Sequence, residues 1–561
     1  MRKKDVWAAL FCTAALGVGL YCLWGWNRSI EVGFTVLTTQ PDPQDLYDED
    51  TQEQADEEIE ALKETNTYTV EAPLLIADPY GTNTTGVYLY FESEQPASVS
   101  YEISTADDRY GSFSRTLSET PSLDHEYQLL GMVPEQENEV TVQISYEDGT
   151  ADTLCFTYEA PALRGNGETI LEQEEGESEA TLTDGLYAIL GNDNDSGQQQ
   201  YLYYYDNDGV VRAEIPLGEY RCDRIVLEDD LMFISVEEDK IAALDALGQV
   251  VRLYDTGAYS MHHDFISDGE GNLLILASRD DAQTVEDQII VLDLDSGAIT
   301  AQLDMGEMLS AYRAQTSADD TDWDWLHLNA IQEKDGDILV SSRETSTIIC
   351  IEDFMDDPHL DYMIADERIW ADSGYEDLLL TQSEAFKPQY GQHSLTCLED
   401  DEPGDGQYEM ILFDNNLGIS TSNTDIPWST FEGLSTSGSD ENGTSHYYKY
   451  LVDEEAGTYT LLESIDLPYS AYVSSVQLLD DHVITDSGMQ GVFQEYDADG
   501  KLIRSFTVDA ENYLYRVYKY TFEGFLFQPV MPAVFCQLLL MRVMLLLDRK
   551  DRKTHTLVSV R

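Results

Sequence analysis

Along most of the chain, apolar and polar positions alternate with period two, in short runs bounded by Asp, Asn and Gly. That period marks half-buried strands, because successive side chains leave a strand on opposite faces. Between 67 and 161 four runs stand out: Val87-Tyr-Leu-Tyr-Phe, Ser98-Val-Ser-Tyr-Glu-Ile, Glu139-Val-Thr-Val-Gln-Ile and Thr153-Leu-Cys-Phe-Thr-Tyr. Their lengths and turn signals predict a β-sandwich of about 95 residues. From 181 to 525 a second pattern recurs, an apolar strand followed by an acidic Gly- or Asn-containing turn and another strand. Leu202-Tyr-Tyr-Tyr-Asp-Asn-Asp-Gly-Val-Val and Phe493-Gln-Glu-Tyr-Asp-Ala-Asp-Gly-Lys-Leu-Ile are two of its copies. Four-stranded blades around a central channel account for it, with six blades starting near Leu186, Cys222, His262, His327, His393 and Tyr472. The expected fold is all-β: an N-terminal β-sandwich, then a six-bladed β-propeller.

Within that repeat, 324–343 is the most informative stretch. Two alternating runs, 325–331 and 338–342, flank a loop whose Asp335-Gly336 supplies the positive φ of a tight reversal. The predicted hairpin puts His327 and Asn329 on one face and returns Arg343 almost opposite His327. An imidazole, a carboxamide and a guanidinium gathered on one face suit an anion with several oxygens. A lone His is more often a hydrogen-bonded core residue. Here, however, His263 and His393 occupy similar settings, each near the start of a strand that leads to an acidic turn and a buried-looking strand. Three of only nine histidines therefore recur at what reads as matching points of successive repeats. On the inner strands of a propeller they would converge on one axial pocket.

The chain ends read differently. Met1-Arg-Lys-Lys heads an apolar run over 6–26, and about 20 such residues span a bilayer. Bulky Trp24-Gly-Trp-Asn-Arg offers no small-residue cleavage site, so 1–35 is expected to be an uncleaved signal-anchor with its basic end cytoplasmic and the remainder extracytoplasmic. A cleaved signal peptide is the alternative. Residues 36–66 are acidic and polar, with a helix-prone run Glu57-Glu-Ile-Glu-Ala-Leu-Lys-Glu, and read as a stalk, and 164–180 as a Gly/Glu-rich linker. Residues 526–561 form an apolar segment broken by Pro529, Pro532, Gln537 and Arg542, followed by a basic tail whose role stays open.

Charge changes the picture further. With 109 acidic and 30 basic residues the formal charge is −79, which argues against nucleic acid as a partner and repels anionic ligands at long range. Any anion site must offset that field locally. Seven cysteines without C-x-x-C spacing, and no Gly-rich phosphate loop, leave no metal finger and no nucleotide or other cofactor expected. The Asp-x-Asp-Gly turns read as hairpin turns rather than calcium loops, since a closing Glu at the required spacing is missing.

Asp324-Trp325-Leu326-His327-Leu328-Asn329-Ala330-Ile331, the closing Ser341-Ser342-Arg343, and Gly391-Gln392-His393-Ser394 resemble the signature segments of bacterial arylsulfate sulfotransferases. The likeness runs from about Tyr68 to about Phe525, and Ala77-Asp-Pro-Tyr-Gly and Leu130-Gly-Met resemble that family's N-terminal domain. The resemblance implies a β-sandwich before a six-bladed propeller. It also implies transfer of a sulfuryl group from an aryl sulfate donor to a phenolic acceptor without the nucleotide PAPS. By the same resemblance His393 is the nucleophile of a ping-pong reaction and becomes a sulfohistidine. His327, Asn329 and Arg343 bind the sulfuryl oxygens, and His263 moves the phenol's proton. An imidazole is neutral and nucleophilic near pH 7, which fits the role. His262 adjoins His263, and the match to Asp264 favours His263. Some relatives carry a short-loop disulfide near the position of Cys397, but no partner cysteine lies nearby here. A non-catalytic envelope-associated propeller, or a sulfatase on the same fold, are the alternatives. Oligomeric state is not readable.

Overall fold

The structure, a computed structural model, describes residues 33–38, 41, 45–192, 198–317, 323–355, 357–398, 404, 406–423, 425–510, 512–522 and 527. The expected signal-anchor core (6–26) and most of the C-terminal segment lie outside the described residues. Among those described, no helix is long and apolar enough to cross a membrane.

The N-terminal unit is one antiparallel sheet in which Leu74–Ala77, Val87–Thr105, Glu137–Tyr146 and Ala151–Glu159 pair in that order, with Phe113–Leu129 also on Val87–Thr105. The runs at Val87 and Ser98, expected as separate strands, are two halves of one 19-residue strand. Its register against Phe113–Leu129 slips between Glu92 and Ala97, next to Pro96, which cannot donate to a ladder. Such slips bend a strand, and the bent sheet closes on Val99, Tyr101, Ile103, Val140, Val142 and Phe156.

The acidic stalk expected over 36–66 is instead largely a docked helix, Glu49–Thr65. Asp48 caps it by accepting from the Thr51 amide at 2.9 Å, Glu49 and Asp50 favour its first turn, and Lys63 lies in its last. Ala55 and Ile59 are buried. The Val250 and Leu253 amides donate to Gln52 and Glu49 side chains at 3.2 and 2.6 Å. The helix takes in the helix-prone run over 57–64, and burying one Ile on its narrow apolar stripe contributes about 1.5–3 kcal/mol, enough to dock it rather than leave it as a spacer.

Six sheets follow among the described residues, beginning within a few residues of the expected starts and antiparallel throughout except where Thr381–Gln382 pairs parallel at the edge of the fifth. The first holds Leu186–Leu190, Tyr201–Tyr205 and Val211–Pro216. The second runs from Ile225–Glu228 to Val250–Asp255, the third from Tyr259–Ser267 to Ala298–Asp304, and the fourth from Leu328–Lys334 to His359–Ile364. The fifth runs from His393–Leu398 to Thr458–Pro468, and the sixth from Ser475–Leu479 to Leu502–Thr507. The leading strand of each sheet from the second to the sixth touches its counterpart in the next. The chain is interlocked at both ends. Arg516–Tyr520, near the C-terminus, is the leading strand of the first sheet, a place the sequence reading had given to Leu186. Glu172–Glu175, expected as free linker, adds an outer strand to the sixth sheet.

Two buried ion pairs hold the closing strand. Arg516 meets Asp264 of the third sheet at 3.0 Å, and Lys519 meets Glu495 of the sixth at 2.9 Å. Breaking one side of such a pair is costly because a buried charge is left unanswered. The acidic turns are hairpin turns: Asp206, Asp245, Asp268 and Asp497 each accept two backbone amides of their own loop through Oδ1.

Candidate active site

The hairpin around Asp335-Gly336 forms with both turn residues at positive φ, 55° and 97°, the backbone a two-residue turn needs. Its open end is where polar chemistry gathers. The Arg343 amide donates to the His327 carbonyl at 3.0 Å, so the guanidinium and the imidazole leave the backbone side by side.

The leading strands of the third, fourth and fifth sheets share an irregularity there. Their registers slip at Met261/Phe265, Leu328/Ala330 and His393/Thr396, and each slip accompanies a left-handed residue: His263 (φ 62°), His327 (φ 53°) and Ser394 (φ 57°). A non-glycine residue held there costs of order 1–3 kcal/mol and turns its side chain off the pleat. His393 therefore does not occupy the matching point expected from spacing; it stands one position before it. Alternation of faces also fails between His327 and Asn329, because the bulge falls on Asn329.

The side chains nonetheless meet. His263 Nε2 lies 3.1 Å from His327 Nε2, and its ring stacks on Tyr515 at 4.9 Å and 6°. His327 Nδ1 donates to Asp324 Oδ2 at 2.7 Å and lies against the Glu286 carboxylate. Arg343 Nη2 donates to the same Asp324 oxygen at 3.1 Å and to Glu344 Oε1 at 3.0 Å. His393, almost fully buried, stands edge-on to Tyr515 at 6.2 Å. Its Nδ1 lies 2.8 Å from Asn415 Oδ1 and 3.1 Å from the Gly391 carbonyl. Tyr515 also donates to the Asn329 carbonyl at 2.9 Å. Asn329 is buried, and one of its amide N–H groups goes to the Gln392 carbonyl at 2.7 Å, beside His393.

Burial and the Arg343 charge push His327 down, but Glu286 and Asp324 outweigh them and raise it to about 9, so it is a cation near neutral pH. Burial lowers His393 well below its usual range, and the nearby Arg343, His263 and His327 lower it further, against a partial offset from Asn415. It is a neutral imidazole. His262 is buried with neither ring nitrogen bonded among the described residues, and burial takes it to about 3; His263 is the neighbour that reaches His327.

Glu286, Asp324, Glu344, Asp223, Asn415 and Tyr515 join the site beyond the residues expected from the sequence. Asp324 opens the quoted signature, but among 109 acidic residues nothing marks Glu286, which comes from the hairpin before the third strand of its sheet and is itself left-handed (φ 56°). Asp223 Oδ2 lies 3.8 Å from His263 Nδ1 and is paired with Arg221 at 2.9 Å. Two triads, His262–His263–Glu286 and Glu286–Asp324–His327, bring three ligand-type atoms within 4.8 Å of one another, close enough to share a metal ion. In the second triad, His327 is engaged by both carboxylates. The arrangement offers a neutral imidazole beside two fixed cations and a second imidazole pair that can share a proton.

Residues 171–518 match the profile of a family described as Arylsulfotransferase (ASST), and residues 74–161 match that of an Arylsulfotransferase Ig-like domain. No curated protein matches the chain. Among solved structures, BamB from Moraxella catarrhalis is 13% identical, with 64% of this chain covering 97% of that one at a TM-score of 0.31. AztD from Citrobacter koseri in its apo form is 10% identical, 76% covering 99%, at 0.27. Likenesses this loose carry no argument about fold or activity.

Proposed function

The chain belongs to the arylsulfotransferase family, and we propose that it moves a sulfuryl group from an aryl sulfate ester to a phenolic acceptor, without PAPS, through a sulfohistidine on His393. An aryl sulfotransferase activity in general follows from the family. The ping-pong course is our reading, and one observation carries it: a neutral, buried His393 stands beside two cations, His327 and Arg343, and the His263–His327 pair. In this reading the six interlocked sheets form a six-bladed β-propeller over 181–525, preceded by the Ig-like domain over 67–161. The catalytic unit lies outside the cell membrane, tethered by 1–35.

His393 attacks sulfur with its free ring lone pair as the S–O bond to the aryl group breaks. The departing aryloxide takes a proton from the His263–His327 pair, delivered by His263, and leaves as a phenol. The sulfuryl oxygens gain charge as the bond loosens. Arg343 meets that charge already in place, so no reorganisation is spent at the moment of reaction, while the positive charge of His327 is passed on as the proton that His263 delivers. Both carboxylates around Arg343 take Nη2, which leaves Nε–H and the Nη1 hydrogens to meet sulfuryl oxygens as separate donors rather than as one fork. Asn329 adds its remaining amide N–H. In the second half an acceptor phenol gives its proton to His263, its oxygen attacks sulfur, and the N–S bond breaks.

The test is phenol release from a chromogenic aryl sulfate with and without a second phenol. Transfer predicts a burst of one phenol per enzyme without acceptor and steady turnover with it. Sustained release of phenol and free sulfate without acceptor would make the protein a sulfatase, and no release at all would favour a binding scaffold.

A further inference from the structure

His393 could in principle use either ring nitrogen, and a feature at the end of the neighbouring strand decides between them. The Asn415 side chain, fully buried, donates through Nδ2 to the Ser470 carbonyl at 2.8 Å and the Val473 carbonyl at 3.0 Å. Carbonyls only accept, so the amide nitrogen must face them and Oδ1 must face the histidine. Oδ1 likewise only accepts, and so does the Gly391 carbonyl on the same side of the ring. His393 Nδ1 is thus met by two acceptors and must carry the hydrogen. In a neutral ring the lone pair is then on Nε2.

The loop that orients Asn415 is itself strained. Val473 (φ 54°) and Ser474 (φ 90°) are consecutive left-handed residues, and a β-branched residue there is an outlier. Nothing about the turn itself requires Val. The conformation is held by Ser474 Oγ donating to Ser470 Oγ at 2.8 Å, by the Gly488 and Met489 amides donating to Ser474 and Ser470 hydroxyls at 3.0 and 3.1 Å, and by the Ser474 amide on the Tyr515 carbonyl at 3.1 Å. Its result is that the Val473 carbonyl points at Asn415. Tyr515, the other end of that clamp, is the ring against which both His263 and His393 lie.

We infer that Asn415 is a positioning residue that locks His393 as the Nδ1–H tautomer, making Nε2 the nitrogen that takes the sulfuryl group, and that loop 470–474 keeps Asn415 the right way round. The inference rests on the sulfuryl-transfer reading of His393. When Nε2 bonds to sulfur and the aryloxide leaves, the ring becomes an N-sulfo-imidazolium with its Nδ1–H still on Asn415. An amide cannot remove that proton. The ring therefore keeps its positive charge, the N–S bond stays weak, and the second transfer is fast. A carboxylate at this position would hold the same tautomer but draw the proton toward itself and make the intermediate more durable.

The test begins with the parent protein labelled with 15N-histidine, the His393 signals being those lost in His393→Asn. The expected spectrum shows a pyridine-like Nε2 and a protonated Nδ1. The reverse pattern overturns the inference whatever the activity proves to be. In Asn415→Leu, of similar volume, we expect a mixture of tautomers and a 100- to 10,000-fold fall in the phenol burst rate with KM for the donor within about threefold, wrong-tautomer losses reaching about 10,000-fold in Ser-His-Asp enzymes. An Asn415→Leu protein that keeps both the parent tautomer and the parent burst overturns it too. Should that variant fail to fold, the parent spectrum still decides. An Nδ1–H spectrum together with a His393→Asn protein that still releases phenol would instead sink the sulfuryl-transfer reading and leave the tautomer lock standing.

Discussion

Replacing Glu286 with Gln should move the alkaline limit of activity, because this carboxylate is one of two that keep His327 charged. The groups facing that imidazole are Glu286 and Asp324, which favour the cation, and Arg343 and His263, of which Arg343 disfavours it. Gln keeps the shape and the left-handed backbone while removing one charge at contact distance. At an effective dielectric constant of about 20, a unit charge about 4 Å away is worth about 4 kcal/mol, equivalent to about three pKa units at 1.36 kcal/mol each. Asp324 remains and relaxation dilutes the effect, so one to three units is the expected range, of which about two is the middle. His327 is raised to about 9 in the folded protein, so its charge is present below that pH and lost above it. At pH 8 about nine-tenths of the parent molecules carry the cation. After a drop of about two units only about one in ten would, a loss of about tenfold in kcat/KM from population alone. The assay is burst-phase phenol release between pH 6 and 10, with an aryl sulfate donor that does not itself titrate there. The parent should fall off near pH 9, and the variant one to three units lower, with the two rates converging in acid. A variant whose limit stays near 9 would show that the His327 charge does not support the reaction.

Three further outcomes follow from the same geometry. His393→Asn should abolish both half-reactions, with no burst and no transfer in a folded protein; phenol release near the parent rate would remove His393 from the chemistry. Arg343→Lys keeps a charge but loses the Nε and Nη1 donors left over by Asp324 and Glu344, and should cost about 100- to 1,000-fold in turnover; a value within about threefold of the parent would make Arg343 a structural cation only. Raising salt from about 0.01 M to 0.15 M shortens the Debye length from about 30 Å to about 8 Å, so kcat/KM for an anionic donor should rise with kcat nearly constant, and a flat response would place the acidic surface away from the pocket mouth.

What could be read in advance follows physical scale. The Asp335-Gly336 turn and the period-two runs are local, and local patterns located the six sheets to within a few residues. The helical tendency of 57–64 was legible, but not the docking of Glu49–Thr65, because its apolar stripe is only a few residues wide among acids. The strand Val87–Thr105 was split in two by Pro96, a reasonable strand breaker that here sits at a register slip. At the site, scarce residue types were visible and common ones were not. Nine histidines can be compared pairwise, whereas Glu286 and Asp324 are two of 109 acids whose roles depend on which loops meet. The spacing of His393 from His327, 66 against 64 for the preceding pair, could not reveal that its left-handed residue is Ser394, since a bulge changes orientation without changing composition.

The carboxylates resolve an apparent contradiction between a strongly acidic protein and an anionic donor. Buried cations without partners are too costly to keep, so Arg343 and His327 are each answered by acids that also aim them: Asp324 touches both through one oxygen. The pocket is therefore not a pool of positive charge that would hold any sulfate ester tightly in its ground state. Its cations are fixed in direction: the Arg343 N–H groups left free are worth most where charge increases as the S–O bond loosens, and the His327 proton where the aryloxide leaves. Interactions that strengthen only in that state raise turnover rather than affinity. On this reading the site should bind donor weakly and still turn it over well, and removing Asp324 should harm kcat more than KM, because the loss is of aim rather than of attraction.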